Sequence, residues 1–132
     1  MVLVDTNVLV DVFERDPRWW NWSIGQMKRL SMTHPLVINA IIYAELAAVY
    51  SSSAILDRKI EIMELDFKDI PRNAAYLAGK AYLLYRRKGG TKTSVLADFF
   101  IGAHAAVLGC PLLTRDPRPY RTYFPTVPLI AP

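Results

Sequence analysis

The chain has one cysteine, Cys110, among its 132 residues, which excludes an internal disulfide framework and suits a reducing compartment. It also lacks a long uninterrupted apolar run. The longest, residues 35–50, is broken by Asn39 and Glu45 and is too short and too polar to span a bilayer. The first residues, MVLVDTN, lack the basic segment and the small-residue cleavage site of a signal peptide. We therefore expect a cytoplasmic protein that does not enter a membrane.

The composition is that of a folded domain. Charged residues make up 21% of the chain, too few for a disordered protein, and 52% of the residues are hydrophobic, enough to build a core. No internal repeat, low-complexity tract or linker is present, so we expect residues 1–132 to form one domain. The net charge of +4 favours RNA or DNA as a partner only weakly, because many proteins that never bind nucleic acid are mildly basic.

Short apolar runs alternate with longer segments of helical periodicity along the chain. Strands are predicted at residues 1–4, 36–38, 112–113 and 127–130, with a short extended piece within 65–70. Helices are predicted at residues 8–13, 19–32, 39–50, 54–65, 71–88 and 94–109. The polar, proline-rich stretch 115–125 has no predicted helix or strand. This alternation predicts a three-layer α/β/α fold with a central, mostly parallel sheet.

Four of the twelve acidic residues lie where a solvated charge is not expected. Asp5 and Asp116 follow predicted strands, at the ends where ligands bind in open α/β sheets. Glu45 and Asp98 lie within the apolar stripes of predicted helices. An ionised carboxylate taken out of water costs several kcal/mol unless something compensates it. These four positions predict one shared pocket.

The other eight acids have local or solvated interpretations. Asp11 is assigned to the polar side of the first helix, with Glu14 and Asp16 beside it. Asp69 is assigned to the N-cap of the helix that begins near Pro71. The remaining acids are predicted to lie on a solvated face or at an edge: Asp57, Glu61, Glu64 and Asp66.

Four acids in one pocket need a counter-charge. Two like charges about 4 Å apart repel by about 4 kcal/mol at an effective dielectric constant of about 20. Protonation, an entering Lys or Arg, or a divalent cation would relieve this repulsion. Because the donors are all oxygens and His104 lies about 120° from Asp98 around the helix, the set favours Mg²⁺ or Mn²⁺ over zinc. A purely structural ion-pair network is the alternative.

The four acids occur in segments that together resemble a known family: VLVDTNVLVD (2–11), NAIIYAELAAVY (39–50), VLADFFIGAHAAVLG (95–109) and LLTRDPRPYRTYFP (112–125). Their order and spacing resemble those of the PIN-domain ribonucleases, and among them the VapC-type toxins of toxin–antitoxin pairs. No single segment is specific, whereas the ordered set is.

The resemblance implies a small α/β/α nuclease fold in which Asp5, Glu45, Asp98 and Asp116 form the acidic pocket. It implies Mg²⁺- or Mn²⁺-dependent endoribonuclease activity on RNA, a homodimer, and inhibition by a cognate VapB-type antitoxin. Two alternatives are an RNA-processing PIN nuclease outside a toxin–antitoxin pair and a catalytically silent RNA-binding module. The intact acids favour an active enzyme, and the short chain favours the toxin.

The chemistry of such a pocket suggests a role for each acid. Asp5 and Asp98 are predicted as direct metal ligands because both side chains are short and rigidly placed. Asp116 would bind directly, through water, or at a second ion. Glu45 has the longer reach and is predicted to hold or deprotonate the attacking water, a reaction that leaves a 5′-phosphate and a 3′-hydroxyl.

Neighbouring polar residues have two interpretations each. Thr6, Asn7 and Thr114 are candidates to support the metal ligands, or else helix caps and strand-end residues. The basic residues are candidates to hold the RNA backbone: Arg86, Arg87, Lys88, Lys92, Arg115, Arg118 and Arg121. Tyr120 and Tyr123 are either core residues or stacking platforms for unpaired bases.

Three tryptophans follow the first helix. Trp19 and Trp20 differ by about 100° on a helix, so these two and Trp22 cannot all face inward. At least one is predicted to be partly exposed. They either cap the domain's own core or line an apolar groove for a partner such as the antitoxin.

Overall fold

The computed structural model describes all residues from 1 to 132 and contains five strands and seven helices. In chain order they are β1 (Val2–Val4), α1 (Thr6–Phe13), α2 (Trp20–Ser31), β2 (Leu36–Ile38), α3 (Ala40–Ala47), α4 (Ser53–Ile62), β3 (Asp66–Phe67), α5 (Arg72–Arg87), α6 (Val95–Leu108), β4 (Leu112–Leu113), α7 (Arg118–Tyr123) and β5 (Leu129–Ile130). The strands form one sheet in the order β3-β2-β1-β4-β5. Every neighbouring pair is parallel, which confirms the predicted three-layer α/β/α fold.

The central strands are apolar at every position because helices cover both faces of the sheet. All residues of β1, β2 and β4 are buried. In β1, Leu3 is paired with Val37 of β2 and with Leu112 of β4. Parallel pairing brings the carboxyl ends of these strands to one edge of the sheet, which is where the residues after β1 and β4 meet.

Aromatic packing fixes α6 against its neighbours. The buried Phe99 ring contacts four other rings, on α5, α7 and the residue after α7: Tyr82, Tyr85, Tyr123 and Phe124. Gly102 lies one turn further along α6, and a Cβ atom there would come within 2.4 Å of the Phe124 ring. The glycine therefore permits the close approach that holds α6, and with it Asp98, in place.

Two local predictions are wrong. The stretch 115–125 contains the short helix α7, because proline fits the start of a helix and Tyr120 and Phe124 lie one turn apart on its buried side. Asp69 does not cap α5, whose N-cap residue is Pro71 with no capping side-chain hydrogen bond. None of the seven helices combines the length and apolar character needed to cross a bilayer.

Candidate active site

A pocket of about 370 Å³ lies at the carboxyl edge of the sheet. It contains all four acids predicted from the sequence. Ten residues line it: Asp5, Thr6, Asn7, Val10, Glu45, Asp98, Arg115, Asp116, Pro119 and Tyr120. Thr114, the remaining predicted residue, is fully buried beside Asp5. We refer to this site as the acidic pocket.

Asp5 is the most firmly held acid. It follows β1, caps α1 and is only 5% exposed. Its Oδ1 accepts the backbone N–H of Thr6 at 2.8 Å, and its Oδ2 accepts the hydroxyls of Thr114 at 2.8 Å and Tyr120 at 2.9 Å. Burial raises the pKa of Asp5, the nearby Glu45 raises it further, and these hydrogen bonds oppose the rise. The carboxyl group therefore has a fixed orientation.

Asn7 and Thr114 connect α1 to the loop after β4. The Asn7 amide oxygen accepts the backbone N–H of Arg115 at 3.0 Å, and its amide nitrogen lies 3.4 Å from both Asp5 Oδ2 and Thr114 Oγ1. Thr114 Oγ1 also accepts the backbone N–H of Asp116 at 3.1 Å. These contacts set the position of Asp116 relative to Asp5.

Glu45 is positioned by one hydrogen bond and by the helix that carries it. The Thr6 hydroxyl donates to its Oε1 at 2.7 Å. Its helix, α3, has the buried Asn39 as its N-cap; the Asn39 side chain accepts the backbone N–H of Ile42 and also contacts His104 Nδ1 of α6 at 3.0 Å. This last contact couples the helix that carries Glu45 to the helix that carries Asp98. His104 does not line the pocket, as predicted.

Asp98 faces the other three acids. It lies in the first turn of α6, and no hydrogen bond to its carboxylate offsets its environment. Burial, followed by the charges of Asp5, Glu45 and Asp116, raises the pKa of Asp98 to about 7. The position of Asp98 in the apolar stripe predicted from the sequence thus places its carboxylate among like charges, with no partner of opposite charge.

Asp116 is half-buried at the rim and has a local partner. Arg118 Nε donates to its Oδ1 at 2.8 Å and Nη2 to its Oδ2 at 3.0 Å. The hydrogen bonds from Arg118, with the additional charge of Arg115, lower the pKa of Asp116. The Arg118 side chain is 85% exposed, so this pair can open at little cost.

Asp11 is where the sequence-based prediction is wrong. It is not on a solvated side: it is 1% exposed, because α2 packs over α1. Arg115 donates to it through Nε at 2.7 Å and Nη2 at 3.0 Å, and the Ser23 hydroxyl donates at 2.7 Å. One signal was available in the sequence, since Asp11 follows Asn7 by one helical turn and so shares its face.

The donor set suits a hard divalent cation, although it is not preassembled. As the side chains stand, no three Asp, Glu, His or Cys residues are grouped to hold one metal ion. The physical reason is that Arg118 holds Asp116, and that Thr114 and Tyr120 occupy Oδ2 of Asp5. Asp98 has no such partner. The pocket is lined by four carboxylates and by no His or Cys, and oxygen ligands are those that Mg²⁺ and Mn²⁺ prefer.

The fold and the site together define a class: an α/β/α domain with carboxylates gathered at the carboxyl edge of a parallel sheet. The family model of the PIN domain matches residues 2–125, so the chain belongs to the PIN domain family, a family of nuclease type. A comparison with curated proteins found no match.

Solved structures share this fold. One is VapBC2 from Rickettsia felis bound to a DNA fragment from its promoter, with a TM-score of 0.76, 19% identity, and coverage of 99% of this chain and 98% of that one. VapBC-1 from nontypeable Haemophilus influenzae has a TM-score of 0.72 and 20% identity, with coverage of 99% of this chain and 98% of that one. FitAcB from Neisseria gonorrhoeae has a TM-score of 0.70 and 19% identity, with coverage of 98% of this chain and 96% of that one. At these identities the likeness shows the fold.

Proposed function

We propose that residues 1–132 form a single nuclease domain that cleaves RNA phosphodiester bonds internally and requires Mg²⁺ or Mn²⁺. The observation that carries this proposal is Asp98, which faces Asp5, Glu45 and Asp116 and has no basic partner. A fold stabilised only by ion pairs would place a cation against Asp98. A pocket that binds a divalent ion leaves this acid free for it.

Asp5, Asp98 and Asp116 would hold the ion, with Asp5 using Oδ1, the oxygen that carries only one hydrogen bond. A divalent ion held there would neutralise the charge of the phosphate oxygens and make water easier to deprotonate. Glu45, oriented by the Thr6 hydroxyl, accepts a proton from the attacking water. The products are a 5′-phosphate and a 3′-hydroxyl, and the ribose 2′-hydroxyl takes no part.

RNA binding is supported by exposed basic residues near the pocket. Arg118 and Arg121 are exposed on α7, and the ammonium of Lys88 at the end of α5 lies 5.9 Å from the ring centroid of Tyr123. The basic end of α5 therefore adjoins α7, and both can contact phosphates. Tyr120 is excluded as a stacking platform for bases, because it is 1% exposed and hydrogen-bonded to Asp5.

We further propose that this nuclease is the toxin of a toxin–antitoxin pair, acts as a homodimer, and is inhibited by a VapB-type antitoxin. The structures that share its fold include complexes whose names are those of VapBC pairs. A basic antitoxin side chain placed among the four acids would compete with the metal ion. We propose the cytoplasm as the place of the reaction, because a chain with a single cysteine suits a reducing compartment.

The direct test is cleavage of a mixed RNA substrate by the purified protein with Mg²⁺, with Mn²⁺, and with excess chelator. We expect cleavage with either ion and none with chelator. The products should carry 5′-phosphate groups, which a phosphatase removes. Cleavage that persists in chelator, or 2′,3′-cyclic phosphate ends, would contradict the mechanism. Growth arrest on expression, relieved by the product of the adjacent gene, would distinguish a toxin from an RNA-processing nuclease.

A further inference from the structure

Arg115 is the only basic residue among the ten that line the acidic pocket, yet it is not paired with any of the four pocket acids. Its guanidinium group turns instead to Asp11, outside the pocket. Its side chain is 29% exposed, so water does not fully screen its charge. An arginine at this place needs a physical reason not to pair with the pocket acids.

Asp11 supplies that reason through an unusually complete set of contacts. Both of its oxygens accept from Arg115, and Ser23 donates to one of them, so the buried carboxylate is fully compensated. The Arg115 guanidinium carbon also lies 5.3 Å from the ring centroid of Trp19. A bidentate pair combined with an aromatic face fixes both the position and the plane of the guanidinium.

Release of Arg115 would change the acidic pocket. The residue directly precedes Asp116 in the chain and lines the same pocket as the four acids. A guanidinium without Asp11 would be drawn toward the cluster of Asp5, Glu45, Asp98 and Asp116. Pairing there would neutralise part of the cluster and compete with a divalent cation for the same oxygens.

We propose that Asp11 is a positioning residue that holds Arg115 at the rim, away from the metal-binding carboxylates, and leaves its Nη1 available to a phosphate oxygen of the RNA. The pair uses Nε and Nη2, and Nη1 takes no part in it. Planar guanidinium groups are well suited to phosphate. This inference rests on the proposed function, because it assigns Asp11 and Arg115 to the same metal and substrate.

The test is Mn²⁺ binding to the metal-free protein, measured by titration calorimetry, for the wild type, Asp11→Asn and the double variant Asp11→Asn/Arg115→Met. We expect Asp11→Asn to bind Mn²⁺ at least about tenfold more weakly, which corresponds to about 1.4 kcal/mol of competing ion-pair energy. The Mn²⁺ affinity of the double variant should return to within about threefold of that of the wild type, because the competing cation is gone. Its KM for RNA should stay raised, since the phosphate contact is also gone.

A second pair of variants keeps Asp11 in place, and it tests the same competition between Arg115 and Mn²⁺ if Asp11→Asn does not fold. Arg115→Lys keeps the charge but cannot form the bidentate pair, whereas Arg115→Met removes the charge. We expect weakened Mn²⁺ binding in Arg115→Lys and none of that weakening in Arg115→Met. Equal Mn²⁺ binding in these two variants, or in the wild type and a folded Asp11→Asn, would overturn this inference alone. No Mn²⁺ binding by the wild type would overturn the proposed function.

Discussion

Two arginine–carboxylate pairs border the acidic pocket, and their geometry is nearly the same. Arg115 and Asp11 meet at 2.7 and 3.0 Å, and Arg118 and Asp116 at 2.8 and 3.0 Å. Their surroundings differ: the Arg115 and Asp11 side chains are 29% and 1% exposed, whereas those of Arg118 and Asp116 are 85% and 41% exposed. An exposed pair contributes about 0–1 kcal/mol, whereas breaking a buried pair leaves a charge without compensation. The first pair is therefore a fixed part of the fold, whereas the second is a contact that a metal ion or RNA would displace under the proposed function.

Asp98 is paired with no arginine, and its substitution is expected to have the largest effect on cleavage. We expect Asp98→Asn to lower metal-dependent cleavage by at least about 100-fold, the scale typical of removing a group that acts on the transition state. Because one of four repelling charges is lost, the unfolding temperature without metal should stay the same or rise. Cleavage assays and thermal denaturation in chelator check both parts. Retained cleavage, or an unfolding temperature several degrees lower, would contradict the pocket as described.

The variants Arg115→Met and Arg118→Met measure how much each pair contributes to the free energy of unfolding. The first leaves Asp11 buried without its counter-charge and should lower the free energy of unfolding by about 3 kcal/mol. The second removes an exposed partner and should change it by less than about 0.5 kcal/mol. Urea denaturation in chelator measures both. Equal losses would show that burial does not distinguish the two pairs.

The pH dependence of stability should separate Asp98 from Asp116. Since the folded-state pKa of Asp98 is raised to about 7, the native state binds an extra proton between roughly pH 4 and 7. The metal-free protein should therefore lose stability as pH rises through this window, by at most about 1.4 kcal/mol per pH unit. The lowered pKa of Asp116 acts oppositely: its contribution is present above pH 4 and is lost as pH falls through its folded-state pKa.

Urea denaturation in chelator at pH 5 and pH 7.5 measures this slope, and Asp98→Asn is the matched control. The decline between the two pH values should be smaller in the variant, and saturating Mg²⁺ should reverse it in the wild type. If the wild type and Asp98→Asn decline equally, a group other than Asp98 is responsible.

A further prediction, on partner binding, concerns the tryptophans beside the buried pair. Trp19 contacts Arg115, whereas the half-buried Trp20 lines a separate pocket of about 280 Å³ with Asp16, Pro17 and their neighbours. We expect Trp20→Ala to weaken antitoxin binding by at least about 1 kcal/mol while RNA cleavage by the free protein persists. The dissociation constant is measured beside the cleavage rate, with circular dichroism as the folding control. Unchanged affinity in a folded variant would remove Trp20 from the interface.

The four pocket acids could be placed from the sequence because each one breaks a local rule. Asp5 and Asp116 follow strands, and Glu45 and Asp98 interrupt apolar stripes, so short-range patterns were sufficient. Asp11 breaks no such rule, because it lies on a short helix whose other side is apolar.

What buries Asp11 is the later helix α2, together with an arginine 104 residues away in the chain. Local periodicity carries no information about either. The same limit applies to α7, because Pro117 and Pro119 at its start are equally typical of a loop, and the contact of Tyr120 with Asp5 that fixes the helix is a long-range one. The sequence patterns thus identified the pocket acids and the neighbouring Thr6, Asn7 and Thr114, and missed the burial of Asp11 and the helix α7.

The buried contact between Asn39 and His104 has a consequence for the tautomer of the imidazole ring. The Asn39 side-chain oxygen already accepts the backbone N–H of Ile42, so its amide nitrogen is the donor to Nδ1 of His104. Only an unprotonated Nδ1 can accept, which places the single ring proton on Nε2. Burial lowers the pKa of His104, so this neutral tautomer is the native one. Nitrogen chemical shifts of the ring would therefore report whether the helices carrying Glu45 and Asp98 are still joined.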